Sequence, residues 1–109
     1  MQLNIDGHHL QVSDALREYV LTKLKRVERH SEHITNAHFV LSVDRTTQRA
    51  EGNIHVSGAD VFAQADSEDM YAAIDSLMDK LDRQVVKHRE RILSRHRTAD
   101  NVPLQDEPQ

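Results

Sequence analysis

The amino-acid sequence predicts an α+β fold: a two-layer sandwich in which a four-stranded sheet carries two helices on one face, in the order β-α-β-β-β-α. Four short stretches alternate apolar and polar residues, which is typical of strands with one buried face, and two longer stretches repeat apolar residues at helical spacing. Neither helix can bury its apolar stripe elsewhere, so both must cover the same sheet face, with a right-handed first crossover. The 109 residues suffice for one domain with a modest core.

The N-terminal part of the chain predicts one strand and one helix. Residues 2–6 alternate polar and apolar side chains and meet Gly7, which indicates a strand followed by a turn. Ser13 is a suitable helix N-cap, and apolar residues then recur at helical spacing. We therefore expect helix one over about residues 14–30.

Three more strands are expected at about residues 37–44, 50–57 and 61–65, where apolar residues again alternate with polar ones. The connections between them, residues 45–48 and 58–60, are short. Short connections join antiparallel neighbours, so these strands should form a meander.

Helix two and a tail complete the prediction. Segment 66–69 supplies a capping signal, and a clean apolar stripe predicts a helix over about residues 68–94. The last twelve residues contain both prolines, an acidic bias and no periodicity, which predicts disorder. The predicted organisation is therefore an α+β domain at 1–97 and a disordered acidic tail at 98–109.

The four aromatic residues are interpreted mainly as packing residues. Tyr19 belongs to the stripe of helix one, and Phe39 and Phe62 are assigned to the core. Tyr71 opens helix two, where we interpret it as a partly buried wall rather than a base-stacking residue. A sheet that stacks RNA bases would need exposed aromatic residues on its strands, and this one offers too few.

Composition excludes several classes of function. Cysteine is absent, so disulfides and thiol chemistry are excluded. The chain has no apolar run near 18 residues and no signal-peptide pattern at its start, so we expect a soluble, cytoplasmic protein without a membrane partner. Four of the eight histidines form two close pairs, His8-His9 and His30-x-x-His33, which lack the further ligands of a zinc site. With three glycines and no recognisable triad, we expect no cofactor, no small-molecule substrate and no enzymatic activity.

Charge is distributed unevenly along a chain whose formal net charge is −4. Residues 17–29 hold five basic and two acidic residues, a local charge of +3. Residues 80–97 hold seven basic and two acidic residues, a local charge of +5. The remainder, with two basic and fourteen acidic residues, carries −12. Because the local field decides what binds at a surface, a polyanion partner stays compatible with the acidic total.

Around helix two, acidic and basic residues separate into two rows. On a helical wheel the basic row lies opposite the apolar stripe and the acidic row lies on one flank. The basic row is Lys80, Arg83, Lys87 and Arg91, and the acidic row is Asp75, Asp79 and Asp82. A face that served only solubility would more often intersperse its signs.

Helix one repeats the pattern less cleanly. Lys25, Arg26 and Arg29 face away from its apolar stripe, while Lys23 lies at the edge of the stripe and must extend outward. If both helices cover one sheet face, the two basic rows should form one patch suited to a phosphate backbone. The alternative is that both rows are ordinary solvated faces, with the last arginines of helix two complementing its dipole.

Three parts of the sequence resemble the bacterial ribosome hibernation-promoting factors, over about residues 1–92. They are Gln2-Leu3-Asn4-Ile5, then Ala15-Leu16-Arg17-Glu18-Tyr19-Val20 with Lys23 and Arg26, and finally Asp69-Met70-Tyr71-Ala72-Ala73-Ile74-Asp75 continuing through Asp79-Lys80-Leu81 to Arg83-Gln84 and Lys87-His88. The run that begins at Asp69 is the most distinctive. We expect the short form of the family, because the sequence has no second, dimerising domain.

This resemblance implies a topology similar to that of double-stranded-RNA-binding domains. It also implies binding to the small ribosomal subunit, in the channel where messenger and transfer RNA would sit, and silencing of translation in stationary phase by promoting inactive ribosome dimers. The implied partners are ribosomal RNA, neighbouring ribosomal proteins and a ribosome modulation factor. Two alternatives stay open: a ribosome-associated inhibitor that stabilises inactive single ribosomes and opposes dimerisation, or a generic structured-RNA-binding module.

The family's basic helix positions match Lys23, Arg26, Lys80, Arg83 and Lys87 in this sequence. Together, the wheel and the resemblance select the candidate RNA-binding residues Lys23, Lys25, Arg26, Arg29, Lys80, Arg83, Lys87, His88 and Arg91. Recognition should depend on shape and phosphate rather than base sequence. On this hypothesis, Lys80→Glu with Lys87→Glu should abolish ribosome co-sedimentation.

A third hypothesis is a protein-binding module. The acidic residues around Asp60, Asp66, Glu68 and Asp69 could contact basic partners such as ribosomal proteins. Salt discriminates RNA binding from a hydrophobic protein interface, because binding through phosphates weakens steeply with salt while a hydrophobic interface barely responds.

Overall fold

The computed structural model describes residues 1–30, 34–56 and 58–101, with side chains as far as Ser94. The elements are, in chain order, β1 (Gln2–His8), α1 (Asp14–Glu28), β2 (Ile34–Asp44), β3 (Thr47–Val56), β4 (Ala59–Ser67) and α2 (Met70–Asn101). The predicted order β-α-β-β-β-α is confirmed. Neither helix in the described part of the chain is apolar enough over a sufficient length to cross a membrane.

The four strands form one mixed sheet in the order β1-β2-β3-β4. β1 pairs parallel with β2, and β2, β3 and β4 form the expected antiparallel meander. α2 packs over β3 and β4 and lies beside α1. Both helices bury their apolar stripes in one cluster with the inward side chains of the strands, so they cover the same sheet face.

The turn between β2 and β3 is tighter than predicted. Only Arg45 and Thr46 join the two strands. Arg45 has a φ of 60°, and this left-handed conformation lets the chain reverse within two residues. Glycine or asparagine usually marks such a short turn in a sequence, and neither occurs here. The predicted connection, residues 45–48, is therefore too long. Ser57, the last residue predicted for the third strand, lies outside the described residues.

Side-chain caps explain where the helices begin. The Ser13 hydroxyl accepts a hydrogen bond from the backbone N–H of Leu16 at 3.2 Å, as expected for the start of α1. The Asp69 carboxylate accepts from the N–H of Ala72 at 3.1 Å, so α2 begins at Met70 rather than at residue 68. Both first turns therefore have an acceptor for an N–H group that would otherwise lack one.

The helices end at positions different from those predicted. α1 ends at Glu28, and α2 continues to Asn101, beyond the predicted end at residue 94. α2 thus includes residues 98–101, which the sequence assigned to the tail. The rest of the predicted tail, residues 102–109, lies outside the described residues.

Aliphatic residues from both layers and one aromatic ring build the core. Its largest fully buried side chains include Phe39, Leu24, Leu41, Ile54, Leu77 and Leu81. The core position of Phe39 is confirmed, but that of Phe62 is wrong, because Phe62 is 51% exposed. Along β4 the buried positions alternate, with Val61 and Ala63 pointing inward. Phe62 lies between them and points to the opposite face.

Candidate nucleic-acid interface

The basic row of α2 lies on the outer surface of the helix. Lys80, Arg83, Lys87 and Arg91 are all exposed, opposite the buried stripe that contains Leu77, Leu81 and Val85. Within the described part of the chain, the side chains of Arg83, Lys87 and Arg91 have no hydrogen-bond or ion-pair partner. These three cations are therefore available to an external anion. We call them the free row.

Lys80, the remaining member of the predicted row, is held against the sheet. Its Nζ donates to the backbone carbonyl of Gln64 at 2.9 Å. One turn later, Gln84 Nε2 donates to the carbonyl of Phe62 at 2.8 Å. Both carbonyls belong to the edge strand β4, which would otherwise present unpaired acceptors to solvent. Lys80 thus covers the sheet edge while its charge stays beside the free row.

An open groove runs between β4 and α2. Its volume is about 630 Å³, and its walls include Ala63 and Gln64 from β4 and Arg83, Gln84 and Lys87 from α2. The groove places backbone and amide groups next to two members of the free row. Two carboxylates, Asp82 and Glu90, also line the groove, so its charge is mixed rather than purely basic.

α2 meets α1 and the residues that follow it along a seam of two ion pairs and one histidine–carboxylate contact. The partners are Lys23 with Asp75 at 3.5 Å, Arg26 with Asp79, and His30 with Asp82 at 2.6 Å. The predicted acidic flank of α2 therefore faces α1, and it lies between the basic rows of the two helices. The expectation of one continuous basic patch is wrong, because a wheel gives the angle of a residue around its helix but not the neighbour that covers it.

The predicted residues of α1 fall into two groups. Lys23 and Arg26 belong to the seam, and each is only partly exposed. Lys25 on α1 and Arg29, the residue that caps its C-terminal end, are exposed and have no ion pair in the described residues. The outer pair is therefore a second basic surface, which the seam separates from the free row.

Two tyrosines close one end of the seam. The Tyr19 hydroxyl donates to Asp75 at 2.7 Å, and the Lys23 ammonium lies 5.3 Å from the centroid of the Tyr19 ring. Tyr71 meets the Tyr19 ring edge-on at 4.8 Å, but at 38% exposure it is an exposed side chain, so the predicted partly buried position is wrong. The hydrogen bond to Asp75, with a smaller effect of burial, raises the pKa of Tyr19 above its ordinary value.

His88 has a different environment from the rest of the candidate set. It is partly buried, and its Nε2 atom is fully buried without a hydrogen-bond partner in the described structure. It lines a cleft of about 290 Å³ with Ala59 and Val61 of β4 and with Lys87 and Arg91 of α2. His88 therefore points toward the sheet rather than along the free row.

Sequence reasoning missed the seam, although its spacing is present in the chain. Residues 19, 23, 26 and 30 of the α1 region are separated by four, three and four positions, and the acids of α2 at 75, 79 and 82 are separated by four and three. Matching intervals of this kind indicate two helical rows that can pair. A metal site at the histidine pairs gains no support: His33 lies outside the described residues, and no three potential ligands converge among those described.

The element order and the basic helix surface place this chain among small α+β proteins with a candidate nucleic-acid-binding face. It belongs to the Sigma 54 modulation protein / S30EA ribosomal protein family, whose model matches residues 3–93. The predicted relationship to ribosome hibernation-promoting factors is confirmed.

The similar proteins span nearly the same length as this chain. It is 53% identical to the ribosome hibernation promoting factor of Azotobacter vinelandii over 104 residues, covering 93% of this chain and 97% of the relative. It is 41% identical to that of Escherichia coli K12 over 92 residues, covering 84% and 97%. The names of these relatives describe ribosome factors rather than enzymes, in agreement with the predicted lack of catalysis.

Two solved structures have the same fold. The N-terminal domain of Protein Y from Thermus thermophilus is 35% identical with a TM-score of 0.76, covering 81% of this chain and 99% of that domain. A ribosomal subunit interface protein from Coxiella burnetii is 32% identical with a TM-score of 0.78, covering 83% and 99%. The predicted α+β sandwich with a four-stranded sheet and two helices is thereby confirmed.

Proposed function

We propose that this protein silences translation by binding the small ribosomal subunit through the outer surface of its helices. It would occupy the channel of messenger and transfer RNA, so that occlusion alone prevents initiation and no chemical step is needed. The names of the relatives support the ribosome as the target, since they are called ribosome hibernation promoting factors and a ribosomal subunit interface protein.

The choice of the free row as the proposed RNA contact depends on one observation. Arg83, Lys87 and Arg91 remain unpaired among the described residues. Other basic side chains have partners within the molecule: Lys23 and Arg26 in the seam, Lys80 at the sheet edge, and Arg49 with Asp66. An unpaired cation gains more from a phosphate than one that must first give up a carboxylate.

The binding mode should be insensitive to base sequence. Lysine and arginine form the free row, and the two tyrosines of the helical layer, Tyr19 and Tyr71, pack against each other. Phosphate contacts position a protein on RNA but do not read its sequence. We therefore propose recognition of the shape and charge of structured RNA, with promotion of inactive ribosome dimers as the consequence.

The decisive experiment reverses two charges of the free row. We expect Arg83→Glu with Lys87→Glu to abolish co-sedimentation with ribosomes, because two attractive contacts become repulsive. These positions are preferable to Lys80, since Lys80→Glu would also bring a carboxylate to the backbone carbonyl of Gln64. Circular dichroism should show an unchanged fold, because both side chains are exposed.

The matched control carries the same change in net charge outside the candidate site. Arg17 and Arg45 are exposed, so Arg17→Glu with Arg45→Glu should retain co-sedimentation. Loss of binding in both double variants would mean that net charge rather than the free row determines binding. Gradient profiles of ribosomes with wild-type protein then separate the outcomes: a larger dimer peak supports the proposed role, and a larger single-ribosome peak supports the inhibitor alternative.

A further inference from the structure

The face of the sheet opposite the helices is acidic and is left uncovered by the described elements. We call it the open sheet face, formed by the outward side chains of all four strands. It carries five carboxylates, Asp6, Asp44, Glu51, Asp60 and Asp66, and a single guanidinium, Arg49. Its formal charge, with neutral histidines, is therefore strongly negative, whereas the free row lies on the helical layer.

Three of these carboxylates have partners on the same face. Asp6 meets His38 at 2.8 Å, Asp60 meets His55 at 2.9 Å, and Asp66 accepts from Arg49 at 2.7 Å. The hydrogen bond from Arg49 lowers the pKa of the Asp66 carboxyl below its ordinary value.

The other two carboxylates have no direct partner in the described structure, although both act electrostatically on the Arg49 guanidinium. Within the described residues, Glu51 and Asp44 have no hydrogen-bond or ion-pair partner. They leave negative charge available to an external cation near the middle and at one end of the face.

Phe62 gives this face an apolar anchor. The ring is 51% exposed, lies directly across from Asn53 of β3, and is next to Gln64 along β4. The core does not need it, since Val61 and Ala63 supply the buried positions of the strand. Glu51 lies diagonally across from Phe62 on the neighbouring strand, since it pairs with Gln64. An exposed aromatic ring near a carboxylate attracts arginine, which can lie over the ring while it pairs with the carboxylate.

We propose that the open sheet face binds an extended, arginine-rich polypeptide segment, with Phe62 stacking against an arginine and Glu51 pairing with a neighbouring cation. The outward amides of Asn53 and Gln64 can hydrogen-bond the backbone of such a segment. RNA is a poor fit, because its phosphates would meet five carboxylates and one cation. This proposal concerns the face opposite the free row, so it stands or fails separately from the proposed ribosome binding.

The test is an NMR titration of the full-length, ¹⁵N-labelled protein with a synthetic peptide of alternating arginine and threonine. We expect amide shifts centred on β3 and β4 around Glu51 and Phe62. In the double variant Glu51→Gln with Phe62→Ala, we expect the peptide dissociation constant to rise by about tenfold or more, because one ion pair and one cation–π interaction are removed.

A matched double variant controls for charge and apolar area. Glu18→Gln with Leu93→Ala makes similar changes at exposed positions of the two helices and should bind the peptide like the wild type. Phe62 is exposed, so its replacement should leave the amide spectrum that of the same fold. Shifts centred on the helices, equal weakening in both double variants, or shifts on the open sheet face with a uridine oligonucleotide but not with the peptide would overturn the proposal.

Discussion

Asp75 holds two partners from α1, the Tyr19 hydroxyl at 2.7 Å and the Lys23 ammonium at 3.5 Å. Deprotonated Tyr19 would place a second negative charge beside this carboxylate and could no longer donate its hydrogen bond. The pKa of Tyr19 is therefore raised above its ordinary value of 10.0. Asp75 therefore positions both the Tyr19 phenol and Lys23, which is one of the candidate RNA-binding residues.

Asp75→Asn should lower the pKa of Tyr19 back toward 10.0, since the amide removes the negative charge. The measurement is an alkaline titration of tyrosinate absorbance in a Tyr71→Phe background, where Tyr19 is the remaining tyrosine. Asp79→Asn serves as control, because Asp79 pairs with Arg26 and not with Tyr19. An unchanged titration midpoint in the Asp75 variant would contradict the assigned cause.

At the scale of single elements, β3 shows how closely α2 packs on the sheet. Gly52 is an inward position of this strand, and a Cβ atom there would lie 2.7 Å from Cε1 of Phe39 and 3.0 Å from Cδ1 of Leu81. Both neighbours are fully buried, so neither can move without disturbing the core. The absence of a side chain at Gly52 therefore permits the close approach of helix and strand.

Gly52→Ala should lower the free energy of unfolding by about 1–3 kcal/mol, the usual cost of overpacking a core. Urea denaturation of the purified protein measures it. Asn53→Ala is the matched control, because this neighbouring side chain is exposed, and it should change stability by much less. Equal midpoints for Gly52→Ala and the wild type would show that the core can accommodate the methyl group.

The helices and strands themselves were predictable from the sequence, but two local features of the strands were not. Periodicity identified all six elements, because each buries one face and repeats its apolar residues accordingly. The prediction was wrong for Phe62, because the apolar character of its ring was given more weight than the alternation that places Val61 and Ala63 inward. It also missed the short turn at Arg45, because the left-handed conformation there depends on the pairing of β2 with β3 rather than on a glycine.

The candidate site was predictable only as far as single helices determine it. The wheel placed Arg83, Lys87 and Arg91 outward, and they are exposed. It could not indicate that Lys80 donates to β4 or that the acidic flank of α2 meets Lys23, because both interactions join elements distant in sequence. Pairing between elements therefore divides the predicted cations into free and engaged ones.

For the whole molecule, charge is separated across the thickness of the sandwich. The free row lies on the helical layer, and five of the carboxylates lie on the open sheet face. A molecule polarised in this way orients in the field of a polyanion before contact, with its helices leading. A chain of net charge −4 can therefore still present a basic surface on its helical layer.

The salt dependence of ribosome binding should distinguish free cations from engaged ones. Removing one cation that binds a phosphate reduces the slope of log affinity against log salt by about 0.7–0.9. Lys87→Gln should therefore reduce the slope by nearly this amount, because Lys87 belongs to the free row. Lys23→Gln should reduce it by clearly less, since Lys23 lies 3.5 Å from Asp75 and its charge is already partly balanced. Sedimentation of ribosomes with each variant at several salt concentrations gives the slopes, and equal reductions would show that the seam binds phosphate as fully as the free row.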